Sequence, residues 1–304
     1  MTGVTERDLS SVALFLSALI IGVSLGTIYG LMAFGMVASY RISKVVNLGQ
    51  AGIAAFGASV YWWMSSQWGA PLVVSLFGGV LVGGVLGAIL GYANLKLANR
   101  AKGLVMIFTL TVTLLLFAWV DLFIPSYNIT PPSPFGQGGF NFQLTFITYA
   151  QIGTFATCIA VVLVTTWVMR MTRFGMFVRA IYDDPAAAST VGIPLGVYVV
   201  GVWAVAGGMA GLAGILATSR VQLDSVLLLF VMVWGLAGAI LGGLESFALA
   251  FVGGVSLGVA EGILGGMFGG DLGPGLENLS AILIMAVGVL YAGTKRRHLA
   301  HLQT

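Results

Sequence analysis

The chain has 304 residues, of which 59% are hydrophobic and only 8% are charged, and its mean hydropathy is +1.03. A soluble fold of this length has no means of burying so much apolar surface, whereas a lipid bilayer surrounds it without cost. The net charge of +3 comes from basic residues at the ends of apolar segments, which is typical of membrane orientation and not of nucleic-acid binding. A single cysteine, Cys158, excludes an intrachain disulfide and a cysteine metal site. We therefore predict an all-α polytopic membrane protein, with residues 1–304 forming one transmembrane domain in the lipid bilayer.

Apolar segments of about 20 residues, the length of helix that crosses a bilayer, follow one another along the chain. The short connection Gly242–Ser246 is compatible with a re-entrant segment, so the prediction is eight or nine transmembrane helices. The predicted spans are 12–39, 46–65, 71–93, 104–123, 148–169, 193–217, 225–244 and 246–265, with a ninth at 278–293.

The basic residues predict the orientation, because lysine and arginine concentrate in the cytoplasmic loops of membrane proteins. If Lys295–Arg297 is cytoplasmic, eleven of the thirteen basic residues lie on that side, and only Arg7 and Arg220 do not. This assignment places the N-terminus and a proline-rich loop at 124–147 outside. It places the C-terminus and the loop at 170–192 in the cytoplasm.

Glycines recur every four residues in three of the predicted spans. Such a repeat lines one face of a helix and lets a neighbouring backbone approach closely. The repeats support two interpretations: helix packing within the subunit, or a dimer seam or moving contact. The glycines are Gly22, Gly26 and Gly30, then Gly79, Gly83, Gly87 and Gly91, then Gly254, Gly258, Gly262 and Gly266.

The polar segment at 174–193, FGMFVRAIYDDPAAASTVGI, carries the strongest local signal. An aspartate before a proline marks the start of a helix, since the carboxylate accepts from free N–H groups and proline lacks one. Asp184 and Pro185 therefore predict a short helix in the cytoplasm, with small residues that allow close docking. An ordinary connecting loop is the alternative.

This segment, with the AVAGGMAGLAGIL that follows, resembles the coupling loop and next helix of branched-chain amino acid ABC transporter permeases. GTIYGLMAFGMVASYRISKVVNLGQAGIAAFGAS resembles that family's first helix and the break after it. GLAGAILGGLESFALAFVGGVSLGVAEGI is similar to its late glycine-rich helices, which end in a glutamate. Together these segments cover most of the chain in the family's order. The chain departs from the family at Gln50, where many members carry a histidine.

The resemblance implies the ABC importer permease fold and the membrane-spanning subunit of an importer in the bacterial inner membrane. It further implies a second homologous permease subunit or a second copy, an extracytoplasmic solute-binding protein, and two ATPase subunits that bind ATP and Mg. The chain contains no Gly-Lys-Ser/Thr phosphate loop, so we expect it to be no enzyme and to hold no cofactor itself. The implied ATPase-docking residues are Arg179, Ala180, Asp183, Asp184, Pro185, Ala187, Ala188 and Gly192.

Branched-chain or other hydrophobic amino acids are the substrates that the resemblance implies first. Amides, ureas and aromatic acids are equally compatible with the family. An ion-coupled secondary transporter or channel is the alternative of a different class, and it needs intramembrane carboxylates. No triad, metal cluster or carboxylate pair in the sequence indicates a membrane enzyme.

Polar residues inside apolar segments are candidates for the translocation pathway. Asn47 and Gln50 interrupt an apolar run and predict either a broken helix that lines the path or an interfacial turn. Thr109 and Thr113 share a helix face and either line the path or bond back to their own helix. Glu261 is a carboxylate within a span, so it must face a partner or a wet cavity.

Overall fold

A computed structural model describes residues 6–97, 102–124, 129–142, 145–220, 222–272 and 286 of the chain. Helices dominate these residues, as the apolar segments predict. In chain order the elements are α1 (Glu6–Ser43), α2 (Gln50–Trp62) with a π-helical extension (Trp63–Gln67), α3 (Leu72–Leu97), α4 (Lys102–Phe123), β1 (Gly139–Phe142), β2 (Thr145–Thr148), α5 (Tyr149–Met171), α6 (Arg173–Asp183), α7 (Pro185–Thr190), α8 (Leu195–Thr218), α9 (Ser225–Leu241) and α10 (Phe247–Leu272).

Six helices in the described part of the chain, namely α1, α3, α4, α5, α8 and α10, are long and apolar enough to cross a membrane. The apolar helix α9 is shorter, with 17 residues, and α2 has 13. Each of the first eight predicted spans thus corresponds to a helix, which confirms an all-α polytopic fold. The ninth predicted span, 278–293, lies outside the described residues apart from Ala286.

The predicted span at 46–65 is wrong at its start, because the chain between Ser43 and Gln50 is not helical. The amide of Lys44 donates to the Tyr40 carbonyl at 2.7 Å, and Lys44 adopts a φ of 55°, which ends α1. Eleven of the thirteen α2 residues are buried, so this helix is surrounded by protein and not by lipid. Its alanines and glycines make that enclosure possible, since small side chains let the neighbouring helices close around it.

The glycine repeats form seams between helices of this same chain, which confirms the first of their two interpretations. A Cβ atom added to Gly26 would lie 2.5 Å from the Val255 carbonyl oxygen of α10, and one added to Gly83 would lie 2.6 Å from the Gly207 carbonyl oxygen of α8. On α3, the face opposite the glycines carries large exposed apolar side chains, as a lipid-facing surface does. They are Phe77, Leu81, Val85 and Ile89.

The bundle has a basic end and an opposite end. Arg41 and Lys44, where α1 ends, contact the ring of Tyr182 in α6, and Leu95 beside Lys96 contacts Gly196 at the start of α8. At the opposite end, the Tyr61 hydroxyl of α2 donates to the Pro132 carbonyl at 2.7 Å. The basic end therefore contains the C-terminal ends of α1, α3 and α5 and the N-terminal starts of α2 and α8.

The proline-rich loop contains an antiparallel hairpin that the sequence did not predict. Strand β1 pairs with β2 in a register that sets Gly139 opposite Thr148 and Phe142 opposite Thr145. Aromatic and β-branched residues favour such pairing. The hairpin leads directly into α5, because Thr148 is the N-cap of that helix.

Candidate functional site

The polar segment at the basic end contains two helices, α6 and α7, that meet at Asp184. The Asp184 carboxylate accepts from the backbone N–H groups of Ala186 at 2.9 Å and Ala187 at 3.0 Å. Pro185 occupies the first position of α7, where a missing N–H costs nothing. The short helix predicted from the Asp-Pro pair is therefore confirmed as α7, whereas α6, which precedes it, was not predicted. Since the residue before a proline avoids helical geometry, Asp184 divides the segment.

Helix α6 is amphipathic and lies against the membrane helices by its apolar face. Phe174 and Phe177 both pack on the ring of Tyr198 in α8, with centroids 5.4 Å apart in each pair. Arg179, an implied docking residue, donates from its guanidinium to the Met169 carbonyl at the end of α5. One role of Arg179 is thus to attach α6 to α5.

The surface of α7 consists of small residues. Pro185 and Ala187 are exposed together with Asp183, whereas Ala188 is buried against the protein. Gly192 has a φ of +83°, and its amide donates to the Ser189 carbonyl at 3.1 Å, which ends α7. The exposed members of the implied docking set in this stretch are Asp183, Asp184, Pro185, Ala187 and Gly192. Asp184 and Gly192 also begin and end α7, and the buried Ala188 seats it against the protein.

Helix α6 is joined to the end of α1 by cation–π contacts. The Arg41 guanidinium carbon lies 4.3 Å from the Tyr182 ring centroid, and the Lys44 Nζ lies 3.8 Å from it. Each such contact is worth about 0.5–1 kcal/mol at exposed sites. These contacts connect α6 to the end of α1, immediately before the non-helical segment that leads to α2.

The structure brings four sequence-predicted pathway residues together around that non-helical segment. Asn47, Gln50, Thr109 and Thr113 each have a side chain that is 0% exposed. The Thr113 hydroxyl donates across to the Leu48 carbonyl at 2.8 Å, whereas Thr109 donates back to Met106 in its own helix at 2.9 Å. The segment is thus buried against other helices of the bundle.

Several polar side-chain atoms in this cluster have no hydrogen-bond partner among the described residues. The Asn47 Oδ1 accepts from the Gly49 amide at 2.9 Å, but its Nδ2 and both amide atoms of Gln50 have no hydrogen-bond partner among the described residues. A buried polar group without a partner costs about 1–3 kcal/mol. These amide atoms are therefore a candidate functional feature, since buried polar groups break the usual rule of hydrogen-bond pairing mainly at functional sites.

Replacement of Gln50 by leucine is expected to raise the free energy of unfolding by about 1–3 kcal/mol, because it removes the buried amide. Thr113→Val is the matched control. It is expected to lower the free energy of unfolding, because it leaves the Leu48 carbonyl without its donor. Thermal unfolding of both purified variants measures the two shifts. A lower midpoint for Gln50→Leu would show that the amide is bonded in the folded protein.

Glu261 does not belong to this cluster. It is partly buried on α10, and its neighbour Gly262 contacts α1 at Ala18 and Gly22. Gly35, which lies beside Gln50, is 13 residues further along α1 than Gly22, so the two sites are roughly 20 Å apart along the helix. The charged and the neutral pathway candidates therefore lie at different depths of the bundle.

The seam between α1 and α5 opens into a cavity at each end. The cavity at the basic end has a volume of about 660 Å³ and is lined by Phe34 and Ala38 of α1, by apolar residues of α5 and by Arg41 and Arg170. The pocket at the opposite end has about 500 Å³ and is lined by Ile21 and Leu25 of α1. None of Asn47, Gln50, Thr109 and Thr113 lines either one.

Between these cavities the seam is closed. Thr154 and Cys158 of α5 are buried there, and the Ser24 hydroxyl of α1 donates to the Gln151 carbonyl at 3.3 Å. Sequence patterns did not predict this seam, because α1 and α5 are distant in the chain and carry no matching repeat. One feature of the sequence pointed to this region. Arg220, which lines the pocket at the opposite end, is one of the two basic residues that do not lie on the predicted cytoplasmic side.

Arg220 follows α8 and points into the protein. Its guanidinium donates to the Ser24 hydroxyl and, at 3.3 Å, to the Ala150 carbonyl. Burial lowers the pKa of Arg220 to about 10, so the side chain stays protonated at neutral pH. A cation is thus held between α1, α5 and α8.

The bundle of apolar helices, with the buried helix α2 and the amphipathic helix α6, defines a polytopic membrane protein. The family described as "Branched-chain amino acid transport system / permease component" matches residues 18–292. The chain belongs to this permease family.

Individual relatives are similar over most of the chain. It is 26% identical over 265 residues to the high-affinity branched-chain amino acid transport system permease protein LivH of Escherichia coli (strain K12), covering 81% of this chain and 85% of that protein. It is 24% identical over 270 residues to the "Probable branched-chain amino acid transport permease protein LivH" of Methanocaldococcus jannaschii, covering 86% of each. Among solved structures it is similar to PsaBC from Streptococcus pneumoniae in complex with Fab, at 16% identity, a TM-score of 0.47, and 91% and 90% coverage.

Proposed function

We propose that this permease is the membrane-spanning subunit of an ATP-driven importer, and that it passes a branched-chain or other hydrophobic amino acid into the cytoplasm. The observation that carries the proposal is the helix pair α6–α7, placed at the basic end of a chain that belongs to this permease family. The relatives at about a quarter identity are named as branched-chain amino acid permeases, which supports this substrate class.

The basic end is proposed to face the cytoplasm. Arg41, Lys96, Arg170 and Arg179 all lie there, and lysine and arginine in short loops remain on the cytoplasmic side during insertion. In this orientation the hairpin β1–β2 and the N-terminus are outside, where a solute-binding protein delivers its cargo. The C-terminus lies in the cytoplasm.

The helix pair is proposed to receive an ATPase subunit, one on this chain and one on the second permease subunit or copy. Asp183 and Ala187 offer an exposed face without bulky side chains. The partner subunits bind ATP and Mg and move α6, and Tyr182 passes that movement to Arg41 and Lys44. Such a shift of packed helices is an established form of transporter switching.

The substrate path is proposed to follow the α1–α5 seam, with a cavity at each end and a closed segment between them. This arrangement is what alternating access requires in a state closed to passage. Asn47 and Gln50 lie on another side of α1, where Gln50 contacts Gly35. We propose that they, with Thr109 and Thr113, form the polar core around which α1 and α2 move, and that Glu261 shapes the outer half of the bundle.

The test is purification of the chain from its own membrane in mild detergent, followed by reconstitution into vesicles. We expect an ATPase subunit to accompany the chain and radiolabelled leucine to accumulate only with ATP. Accumulation driven by a proton or sodium gradient, with no ATPase recovered, would overturn the proposal in favour of an ion-coupled transporter. Accumulation of urea or an amide with ATP, but not of leucine, would keep the importer and change its substrate.

A further inference from the structure

The pocket at the opposite end of the α1–α5 seam has a composition that selects among the substrates considered above. One wall is apolar and comes from Ile21 and Leu25 of α1. The remaining lining is polar and neutral except for one cation, Arg220. None of the lining residues that the structure describes is an aspartate or glutamate, so these residues present positive charge beside an apolar surface. The polar lining consists of Ser133, Gln137, Thr148, Gln151 and Ser219 with three backbone segments, Gly136, Gly138 and Ala150.

Arg220 is not neutralised within the part of the chain that the structure describes. Its partners there are a hydroxyl and a carbonyl, and its Nε atom is buried without a hydrogen-bond partner. Burial is the cause of its lowered pKa, and no carboxylate among the described residues contributes to that pKa. A buried cation without a counter-ion is costly unless a ligand supplies the charge.

Two nearby features add to the attraction for an anion. Helix α5 starts at the pocket, and the N-terminal end of a helix of 23 residues carries partial positive charge. The Gln151 amide oxygen accepts from the Thr148 amide at 2.9 Å, so its NH₂ group is the donor that this side chain offers a ligand. A guanidinium and amide donors are the groups that hold a carboxylate in other proteins.

We propose that this pocket binds the carboxylate of the transported solute as it enters from outside, with Arg220 as its counter-ion. The inference rests on the proposed function and narrows it: carboxylate-bearing hydrophobic solutes are favoured, and ureas and simple amides are excluded. Ile21 and Leu25 contact the aliphatic part of the solute. Opening of the closed segment at Ser24 then releases it along the seam, because Ser24 bonds both Arg220 and the Gln151 carbonyl.

The first measurement uses the purified complex of permease and ATPase subunits and four probes of similar size. Leucine has both charges, 4-methylpentanoate has only the carboxylate, isoamylamine has only the cation, and isobutylurea has neither. We expect leucine and 4-methylpentanoate to raise the thermal unfolding midpoint and the other two to leave it unchanged. Equal stabilisation by isoamylamine or isobutylurea would overturn the inference, whatever the variants show.

The second measurement compares three variants in the same complex. We expect Arg220→Gln to raise the concentration of leucine or 4-methylpentanoate that half-saturates the complex by at least about tenfold. A loss of this size is usual when a charged hydrogen-bond partner is removed. Arg220→Lys keeps the charge and is expected to retain carboxylate selectivity. Ser24→Ala removes a structural partner of Arg220 without changing the charge, so it separates packing from recognition.

The outcomes distinguish a recognition site from a structural tie. Equal leucine half-saturation in Arg220→Gln and the parent would show that Arg220 serves packing alone. A loss of leucine affinity in Ser24→Ala as large as that in Arg220→Gln would also show that Arg220 serves packing alone. If Arg220→Gln does not fold, the four probes on the parent and on Arg220→Lys still test whether binding requires a carboxylate. Recovery of no ATPase would overturn the importer, while carboxylate selectivity remains measurable on the permease alone.

Discussion

Charge reversal at Asp183, Asp183→Lys, is expected to reduce ATP-driven uptake by roughly tenfold or more, because mismatched charge at a docking surface costs several kcal/mol. Asp183 is exposed beside α7, on the surface that we propose receives the ATPase subunit. The measurement is leucine accumulation in reconstituted vesicles, together with the amount of ATPase that co-purifies. Both are expected to fall together while the permease remains folded.

The control for Asp183→Lys lies at the next residue. Asp184 caps α7, so Asp184→Ala is expected to lower helix stability by about 1 kcal/mol and Asp184→Asn to preserve the cap. An Asp184→Asn variant that binds the ATPase normally, next to an Asp183→Lys variant that does not, would assign the docking charge to Asp183. Normal uptake by both Asp183→Lys and Ala187→Trp would show that α6–α7 is only a connector.

Leucine in place of Gly83 is expected to prevent assembly of the bundle. A Cβ atom at Gly83 would lie 2.6 Å from the Gly207 carbonyl oxygen and 3.2 Å from the Gly211 Cα, and both are backbone atoms that no rotamer change can move. Overpacking costs about 1–3 kcal/mol even where side chains can adjust, and here α3 and α8 must separate. We expect little monodisperse protein in size-exclusion chromatography and a thermal midpoint lowered by several degrees.

The neighbouring glycine provides a matched control on the same helix. A Cβ atom at Gly84 would lie 3.4 Å from the Ala204 carbonyl oxygen, and Gly84 lines a pocket of about 540 Å³ between α3, α5 and α8. Gly84→Leu is therefore expected to leave yield and midpoint near those of the parent. Equal loss in Gly83→Leu and Gly84→Leu would mean that glycine is needed in α3 for reasons other than the seam with α8.

Hydropathy and local capping rules predicted much of this fold. Apolar segments such as 71–93 and 148–169 coincide with α3 and α5 to within a few residues, because a bilayer requires that length of apolar helix. The start of α7 followed from Asp184 and Pro185, whose chemistry acts over one turn. The glycine repeats predicted close helix contact but not which helices meet, since a small face fits any other small face.

Three features could not be obtained from local patterns. The placement of α6 against α8 depends on Phe174 and Phe177 packing on Tyr198, which lies beyond the segment. The start of α2 at Gln50 depends on enclosure by other helices. The hairpin β1–β2 pairs two strands of four residues each, which are too short for an alternating pattern to be recognised.

The sequence by itself determined that this protein lies in a lipid bilayer. It also determined the number of apolar segments, the distribution of basic residues and the family resemblance. These are properties of composition and of short-range order, and the bilayer acts on them directly. Tertiary structure alone decided that Asn47, Gln50, Thr109 and Thr113 share one buried cluster, that Glu261 lies apart, and that Arg220 faces a pocket beside α5. The physical reason is that each of these placements depends on contacts between residues far apart in the chain, and the hydrophobic effect that inserts a helix does not choose its neighbours.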